Sequence, residues 1–385
     1  MRLGLDARLL GPEQKGLGRY VEQTLLSAAA LPNVSLVIFC LPARVEYIKH
    51  LAPNAEVVPM NARWYTIREQ ILFPLLLRKH RVDVMHYPHF NVPIFSRVPF
   101  IVTIHDLLLL EHPTSRASFL GPLRFYAKYY TWQVVLRAAL RRARLIITPT
   151  NYVALRIQQQ YPWVSTQRLI TVPLGADACN NVASLDILSR RGIAGDFFLY
   201  VGNVYPHKNI AWLITVFQTY HFRHPESQLV LVGASDPFHT ALKKKVLALG
   251  LADAVVWWGM ASDAELGRLY QACTAYVFPT LSEGFGIPPL EAMRSGAPVI
   301  CTDLPVLREV LGNAARYFSL NDTSGILTLM ERVACDPVFV HTCRVQGIER
   351  AKQFTWEQMH TKTRAIYEIY RRTHSPTRET LEPSP

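Results

Sequence analysis

The sequence predicts an α/β protein that is built from two parallel-sheet domains. Short apolar runs alternate with amphipathic, helix-like segments along all 385 residues, which is the pattern of repeated strand–helix–strand units. The alternation restarts in the second half, and the chain is too long for one hydrophobic core of ordinary size. Half of the residues are apolar and 18% are charged, which excludes disordered, collagen-like and coiled-coil proteins.

Apolar runs mark the candidate strands of both halves. They are residues 2–6, 34–40, 57–59, 84–87, 100–104 and 145–148, and then 197–201, 228–232, 255–258, 275–279 and 298–302. Two basic and aromatic segments, 63–81 and 118–144, are predicted as helices. We expect a first domain over residues 1–175, a second over 176–355 with its linker within 174–195, a closing helix over 356–373 and a loose tail over 374–385.

The N-terminus and the cysteines are typical of a cytosolic protein. The chain reaches Asp6 too soon for a signal peptide, and no run is long and apolar enough to span a membrane. The six cysteines contain no C-x-x-C pair, so we expect reduced core thiols and neither a disulfide framework nor a zinc site.

The net positive charge lies almost entirely in the first half. Residues 1–185 hold 21 lysines and arginines against 10 acidic residues, whereas residues 186–385 hold 20 against 19. Such asymmetry indicates an anionic partner, which could be phospholipid, nucleic acid or a phosphate-bearing substrate. The two basic helices either form a solvated surface or make a peripheral contact with an anionic inner membrane. Arg137, Arg141 and Arg144 share one face of the second basic helix.

The most specific motif runs from Glu283 to Glu291 and follows the predicted strand 275–279. Open parallel sheets bind ligands at the carboxyl ends of their strands. Two prolines favour a helix start at residues 288–289, which places Glu291 in the first turn, and the free N–H groups of a helix N-terminus suit a diphosphate. Gly284 and Gly286 allow a close backbone approach, and carboxylates there can accept hydrogen bonds from sugar hydroxyls.

Three further positions are candidate binding residues because they also follow predicted strands. Lys208 can neutralise the charge that develops on a departing phosphate, although a lysine alone is more often a surface residue. The Gly16–Gly18 pair at the mouth of a helix is either a phosphate cradle or a turn. His105 either contacts a sugar hydroxyl or is structural.

The sequence also lacks several catalytic signatures. It contains no P-loop, no G-x-S-x-G elbow, no H-E-x-x-H and no D-x-D pair, so a metal-chelating nucleotide site is not expected. His86 and His89 are spaced as a weak metal signal and are interpreted as loop packing.

Residues 278–283 and 291–300 together resemble the E-x7-E region of retaining glycosyltransferases of family 4, also called group 1. The similarity continues through residues 308–310 and 312–315, and Lys208-Asn209, residues 16–20 and His105 fall where that family has matching motifs. The resemblance implies the GT-B fold, in which two Rossmann-like, doubly wound domains face each other across a cleft. The first domain would bind the acceptor and the second the nucleotide sugar.

The resemblance also implies roles for individual residues. Glu291 would hold the ribose hydroxyls, Glu283 the transferred sugar and Lys208 the diphosphate, while His105 would touch the sugar near its reacting carbon. The catalytic residues would be His105, Lys208 and Glu283, with no metal and no cofactor. The implied donor site comprises Gly16, Gly18, Arg19, Asn203, His207, Lys208, Glu283, Gly284, Phe285, Gly286, Ile287 and Glu291.

The chain departs from the family pattern at the diphosphate. Asn203 and His207 stand where many members carry arginine, so a protonated His207 or Arg19 of the facing domain would compensate. GDP-mannose is the first expected donor and UDP-glucose the second, with a saccharide or lipid-linked saccharide as acceptor. A nucleotide-sugar epimerase or phosphorylase on the same fold, and a basic nucleic-acid-binding protein, are alternatives. No nucleic-acid motif occurs, so no nucleic-acid partner is expected.

Overall fold

Two parallel sheets organise the protein in a computed structural model that describes residues 1–11, 15–62, 64–111, 121–176 and 182–374. The first sheet has seven strands in the order β3-β2-β1-β4-β5-β6-β7, and the second has six in the order β10-β9-β8-β11-β12-β13. The strands are β1 Arg2–Asp6, β2 Ser35–Cys40, β3 Glu56–Pro59, β4 Val84–Tyr87, β5 Phe100–Thr103, β6 Leu145–Thr148, β7 Leu169–Thr171, β8 Phe197–Val201, β9 Gln228–Val232, β10 Val255–Gly259, β11 Ala275–Phe278, β12 Val299–Thr302 and β13 Arg316–Phe318.

Helices connect almost every successive pair of strands, because parallel neighbours need a crossover. They are α1 Lys15–Ala29, α2 Val45–Leu51, α3 Ile67–Lys79, α4 Leu108–Glu111, α5 Gly121–Arg142, α6 Asn151–Gln160, α7 Asp186–Arg190, α8 Ile210–Arg223, α9 Pro237–Ala248, α10 Asp263–Ala272, α11 Ile287–Arg294, α12 Pro305–Leu311, α13 Thr323–Cys335, α14 Pro337–Ala351 and α15 Trp356–His374. This arrangement confirms the predicted α/β class with two doubly wound parallel sheets.

The central strands carry the core of each half. β1 and β8 each begin a half and lie in the middle of their sheets, where Leu3, Leu5 and Phe197–Tyr200 are buried. Strands that are buried on both faces consist of continuous apolar residues, and for this reason the sequence pattern predicts both β1 and β8.

Two strands were missed by the sequence analysis. β7 and β13 have three residues each and lie at the outer end of their sheets, where most of their side chains are only half-buried. Such short edge strands have neither a long apolar run nor a clear alternation, so the hydrophobic pattern does not reveal them.

The last helix returns to the first half of the chain. α15 packs against α1, and His360 Nε2 lies 2.8 Å from Gln23 Oε1. Tyr367 Oη lies 2.6 Å from Nδ1 of the buried His86. The first sheet is therefore covered by a helix that follows the whole second sheet in the sequence.

Some sequence predictions need correction or fall outside the described residues. Cys40, Cys273, Cys301 and Cys343 are free, buried thiols, whereas Cys335 is exposed, which contradicts a core position for it. Cys179, Arg63 and residues 375–385 lie outside the described part of the chain. None of the described helices is long and apolar enough to cross a membrane.

Candidate active site

The loops that follow β8 and β11 meet at the carboxyl edge of the second sheet. The backbone N–H of Leu281 donates to the carbonyl oxygen of His207 at 2.8 Å, and Thr280 Oγ1 donates to the same oxygen at 3.3 Å. Lys208 closes the 3₁₀ turn Pro206–Lys208, and Asn209 takes the left-handed conformation with φ of 59° where α8 begins. Asparagine tolerates that conformation better than most residues.

Lys208 and Glu283 form an ion pair between these two loops. The Lys208 ammonium contacts the Glu283 carboxylate, and each side chain is only 15% exposed. Lys208 Nζ also lies 5.6 Å from the centre of the Phe278 ring. The pair is sheltered enough from water for its charges to act strongly on a bound anion or sugar. The structure thus brings these two sequence-predicted residues together.

A glycine directly precedes α11, the helix that carries the second glutamate. Gly286 has φ of 92°, a backbone conformation that favours glycine, and a Cβ atom there would lie 3.1 Å from Leu307 Cδ2. α11 starts at Ile287 rather than at Pro288. Glu291 is therefore the fifth residue of the helix, and its predicted place in the first turn is wrong. Phe285 is buried, with its ring 5.7 Å from that of Phe354.

Arg19 reaches Glu291 from the first half of the chain. Its Nη1 lies 2.7 Å from Glu291 Oε1, and its Nη2 lies 3.9 Å from Oδ2 of the exposed Asp263. Gly16 and Gly18 lie in the first turn of α1 rather than in a loop before it. A Cβ atom on Gly16 would lie 3.7 Å from Ile287 Cδ1, so this turn faces the start of α11.

Gly284 packs closely against the first half of the chain. A Cβ atom there would lie 1.8 Å from the carbonyl oxygen of His105 and 3.1 Å from Asp106 Cβ. Thr150 Oγ1 donates to the Gly284 carbonyl oxygen at 3.1 Å. The segment 283–287 therefore lies between the second sheet and the carboxyl edge of the first.

His105 is held as a neutral imidazole. Burial lowers its pKa to about 4, although the hydrogen bond with Pro88 opposes the shift. Nε2 lies 2.9 Å from the Pro88 carbonyl oxygen, which can only accept, so Nε2 carries the proton and Nδ1 keeps a lone pair. Tyr20 fixes the ring from the side at 4.6 Å between centroids. The ring can accept a hydrogen bond through Nδ1 at neutral pH.

Asn203 and His207 lie on the loop after β8, as expected. The Tyr200 hydroxyl donates to the Asn203 carbonyl oxygen at 2.6 Å, and the buried Asn203 Oδ1 has no hydrogen-bond partner within the described residues. His207 contributes its backbone carbonyl to the loop contact described above, and its ring centroid lies 6.1 Å from that of Tyr205.

Sequence reasoning missed Glu111, which approaches the site from the first half. Ser282 Oγ donates to Glu111 Oε2 at 2.7 Å, and Arg156 Nε lies 3.0 Å from Oε1. A small hollow opens between Glu111, Tyr152, Ser282 and Glu283. No spacing rule predicts this contact, because it depends on how the two halves pack.

No metal cluster is found in the described part of the chain, where no three His, Cys, Asp or Glu side chains could hold an ion together. His86 is not loop packing, which corrects that interpretation, because it lies inside β4 and its Nε2 is 3.0 Å from Thr103 Oγ1. His89 lies just after the strand, and burial lowers its pKa to about 3.

Family models match both halves of the chain. Residues 15–178 match the model described as Glycosyltransferase Family 4, and residues 194–326 match Glycosyl transferases group 1. The chain belongs to the group 1 glycosyltransferases. The family resemblance seen in the sequence, and the conclusion that this protein is an enzyme, are thereby confirmed.

Named relatives of this glycosyltransferase are mannosyltransferases. It is 26% identical to the O-antigen chain mannosyltransferase RfbU of Salmonella typhimurium over 81% of this chain and 85% of that one. It is 27% identical to the O-antigen chain mannosyltransferase B of Escherichia coli over 76% of each chain.

Solved structures confirm the GT-B fold of the glycosyltransferase. HepE of Anabaena, solved in complex with UDP and glucose, superposes with a TM-score of 0.74 over 96% of this chain and 100% of that chain. The two share 16% sequence identity, so the likeness is one of fold.

Proposed function

We propose that this glycosyltransferase transfers a hexose from a nucleoside-diphosphate sugar to a saccharide or lipid-linked saccharide, with retained configuration and without a metal. Mannose from GDP-mannose is the first choice, because both relatives described above are named mannosyltransferases. UDP-glucose is the second, since HepE was solved with UDP and glucose. The product would enter cell-surface polysaccharide or glycolipid synthesis.

The sheltered Lys208–Glu283 pair is the observation that carries this proposal. Cleavage of the anomeric bond leaves positive charge on the sugar ring and negative charge on the diphosphate. Lys208 would stabilise the departing diphosphate, and the nearby N-terminus of α11 would add its partial positive charge. Glu283 would accept hydrogen bonds from the sugar hydroxyls and hold the ring in place.

Arg19 and Glu291 would serve the nucleoside end of the donor. Glu291 would accept hydrogen bonds from the ribose hydroxyls, and Arg19 would turn from that carboxylate towards the diphosphate. Arg19 would then supply the second positive charge at the diphosphate, which arginine does not supply in this chain because Asn203 and His207 occupy the corresponding positions. The proximity of Gly16 to Ile287 supports closure of α1 over the same end of the donor.

His105 would position the sugar. Its neutral ring offers Nδ1 as an acceptor for a hydroxyl near the reacting carbon, and the Gly284 contact keeps the backbone of both halves together at that point. Glu283 is paired with Lys208, which disfavours a nucleophilic role for its carboxylate. Substitution on the same face of the sugar, with attack by the acceptor hydroxyl, is therefore proposed.

We place the reaction in the cytoplasm, at the inner face of the membrane, with peripheral contact to anionic lipid through the basic first half. The net charge of residues 1–185 supports this location. We propose no nucleic-acid partner for this enzyme.

A donor panel tests the proposed function. The full-length protein is screened in EDTA against GDP, UDP, GDP-mannose and UDP-glucose by thermal shift, and turnover is followed with and without saccharide acceptors. The true donor should raise the melting temperature by mass action and release its nucleoside diphosphate faster with acceptor. Formation of an epimerised donor would indicate an epimerase, and phosphate-dependent release of the sugar would indicate a phosphorylase. A strict need for a divalent cation would contradict the proposed metal-independent transfer.

A further inference from the structure

Tyr65 holds a backbone conformation that bulky side chains rarely adopt. It lies between β3 and α3, and its φ of 63° is in the left-handed region. Its side chain is 45% exposed, so packing of the ring into a core does not account for the conformation. Backbone strain of this kind persists only where the surroundings fix it, and it is concentrated at binding and active sites.

A buried network of charges holds Tyr65 in this conformation. Glu69 is fully buried, and its Oε2 accepts from the backbone N–H of Tyr65 at 2.9 Å. Its Oε1 accepts from Arg8 at 2.5 Å and from Asn91 at 2.7 Å. Arg8 is 2% exposed and also donates to both carboxylate oxygens of Asp6. The burial of these charges costs solvation free energy, and their pairing fixes the loops after β1, β3 and β4 against one another.

The ring of Tyr65 lies next to the half-buried ring of Phe90. Their centroids are 6.0 Å apart, and their planes are tilted by 36°. Phe90 makes an edge contact with Trp132 at 5.8 Å between centroids, and Trp132 is buried. We name Tyr65 and Phe90 together the aromatic pair. Its outer ring is exposed, whereas its inner ring is supported by the core of the first half.

The aromatic pair borders the candidate active site from the first half of the chain. Phe90 belongs to the loop after β4, and His105 Nε2 donates to the Pro88 carbonyl oxygen of the same loop at 2.9 Å. The Tyr65 hydroxyl is close enough to Asp106 for the charge of that carboxylate to act on it. Because His105 and Asp106 belong to the segment that packs against the donor motif, the pair lies on the side from which an acceptor would approach.

We propose that the aromatic pair stacks on the C–H face of a pyranose ring of the acceptor. The face of an aromatic ring is electronegative, whereas the C–H groups on one side of a pyranose are apolar and weakly positive. The Asp106 carboxylate can accept a hydrogen bond from a hydroxyl of the same sugar. The pair would thus select a sugar ring over an acceptor group of other chemistry. This inference rests on the proposed function, because it names the acceptor of the same transfer.

Saturation-transfer difference NMR tests the stacking. Aromatic protons of the full-length protein are saturated in the presence of GDP or UDP. The probes are methyl α-D-mannopyranoside, methyl β-D-glucopyranoside and methyl β-D-galactopyranoside. With the wild type, at least one of them should receive the strongest saturation at the C–H protons on one face of its ring.

Tyr65→Ala should raise the dissociation constant of that pyranoside roughly tenfold and lower the saturation, because the ring contact is lost. Tyr65→Phe keeps the ring and should retain most of the saturation. Trp163→Ala is the matched control, since Trp163 is 43% exposed but precedes β7 and so lies at the opposite, amino edge of the first sheet. This control should bind the pyranoside as the wild type does.

Two outcomes would overturn the stacking. One is the absence of face-selective saturation of every pyranoside with the wild type. The other is equal saturation with the wild type and Tyr65→Ala, and Phe90→Leu gives the same comparison if Tyr65→Ala does not fold. Thermal shift with nucleotide sugars is measured on every protein. A retained donor response with failed stacking would leave the proposed function standing, whereas a wild type without any donor response would refute the proposed function itself.

Discussion

At the scale of the residue, the site is a set of opposite charges paired across short distances. Lys208 contacts Glu283 within the second half, and Arg19 contacts Glu291 between the halves. The sequence indicated all four residues, because each lies on a motif next to a predicted strand or helix start. It could not indicate the pairing, since that depends on the relative position of loops far apart in the chain.

Glu291→Ala tests the ribose role at this scale. The loss of a charged acceptor should raise the donor KM by about tenfold or more and change kcat less. The comparison variant is Asp263→Ala, which removes the other carboxylate near Arg19. Because Asp263 is 82% exposed on its side chain, its loss should change the donor KM little. Equal effects from the two variants would argue against a specific ribose contact.

Gly284→Ala tests the contact between the halves. A methyl group placed 1.8 Å from the His105 carbonyl oxygen must displace the backbone of one half, so the free energy of unfolding should fall by about 1–3 kcal/mol. Gly16→Ala is the matched variant, because its Cβ would meet Ile287 Cδ1 at an ordinary 3.7 Å and alanine favours a helix. Chemical denaturation compares the two, and unchanged stability of Gly284→Ala would refute the close packing.

At the scale of the element, strand ends position the candidate site. The hydrophobic pattern predicted the buried strands, and with them the loops that hold Lys208 and Glu283. It failed where packing decides the structure, as in the short edge strands β7 and β13. It also placed the start of α11 one residue late, because Ile287 takes the first helical position ahead of the two prolines.

Three histidines in or near the ends of β4 and β5 should make the stability depend on pH: His86 is fully buried, and His89 and His105 are half-buried. Burial lowers the pKa to about 3 for His86 and His89 and to about 4 for His105. Below about pH 6.5 these histidines are protonated in the unfolded chain but stay neutral in the folded protein. The free energy of unfolding therefore decreases as the pH falls towards the lowered pKa values. Each histidine should cost about 1 kcal/mol between pH 7.5 and 5.5.

Denaturation of wild type and His89→Gln at both pH values checks this dependence. The variant should lose less stability on acidification than the wild type. A fall of the same size in both proteins would show that the folded protein does not hold His89 as a neutral ring. The comparison uses each protein's own change with pH, so a constant destabilisation by the substitution does not affect it.

At the scale of the whole molecule, the two halves are held together by contacts from separate elements. Arg19 pairs with Glu291. Glu309 accepts hydrogen bonds from the backbone N–H groups of Asn151 and Tyr152, at 2.7 and 2.8 Å. A carboxylate at the N-terminus of α6 is favoured by the dipole of that helix. The family resemblance predicted two facing domains, but no sequence rule pairs Glu309 with α6.

Glu309→Ala should loosen this association. The radius of gyration from small-angle scattering should rise, and kcat/KM for the donor should fall, because the halves spend less time in contact. Glu331→Ala serves as the control, since Glu331 pairs with His224 inside the second half. Identical scattering from wild type and Glu309→Ala would show that this contact does not hold the halves together.

The turnover of Lys208→Ala tests the central claim most directly. With the identified donor and acceptor, kcat should fall about 100-fold or more, as expected for removal of a transition-state charge partner, while binding of the free sugar stays nearly unchanged. Lys49→Ala removes an exposed lysine that pairs with Glu46 and should leave the rate intact. A folded Lys208→Ala enzyme with wild-type turnover would contradict the claim that this amine stabilises the departing diphosphate.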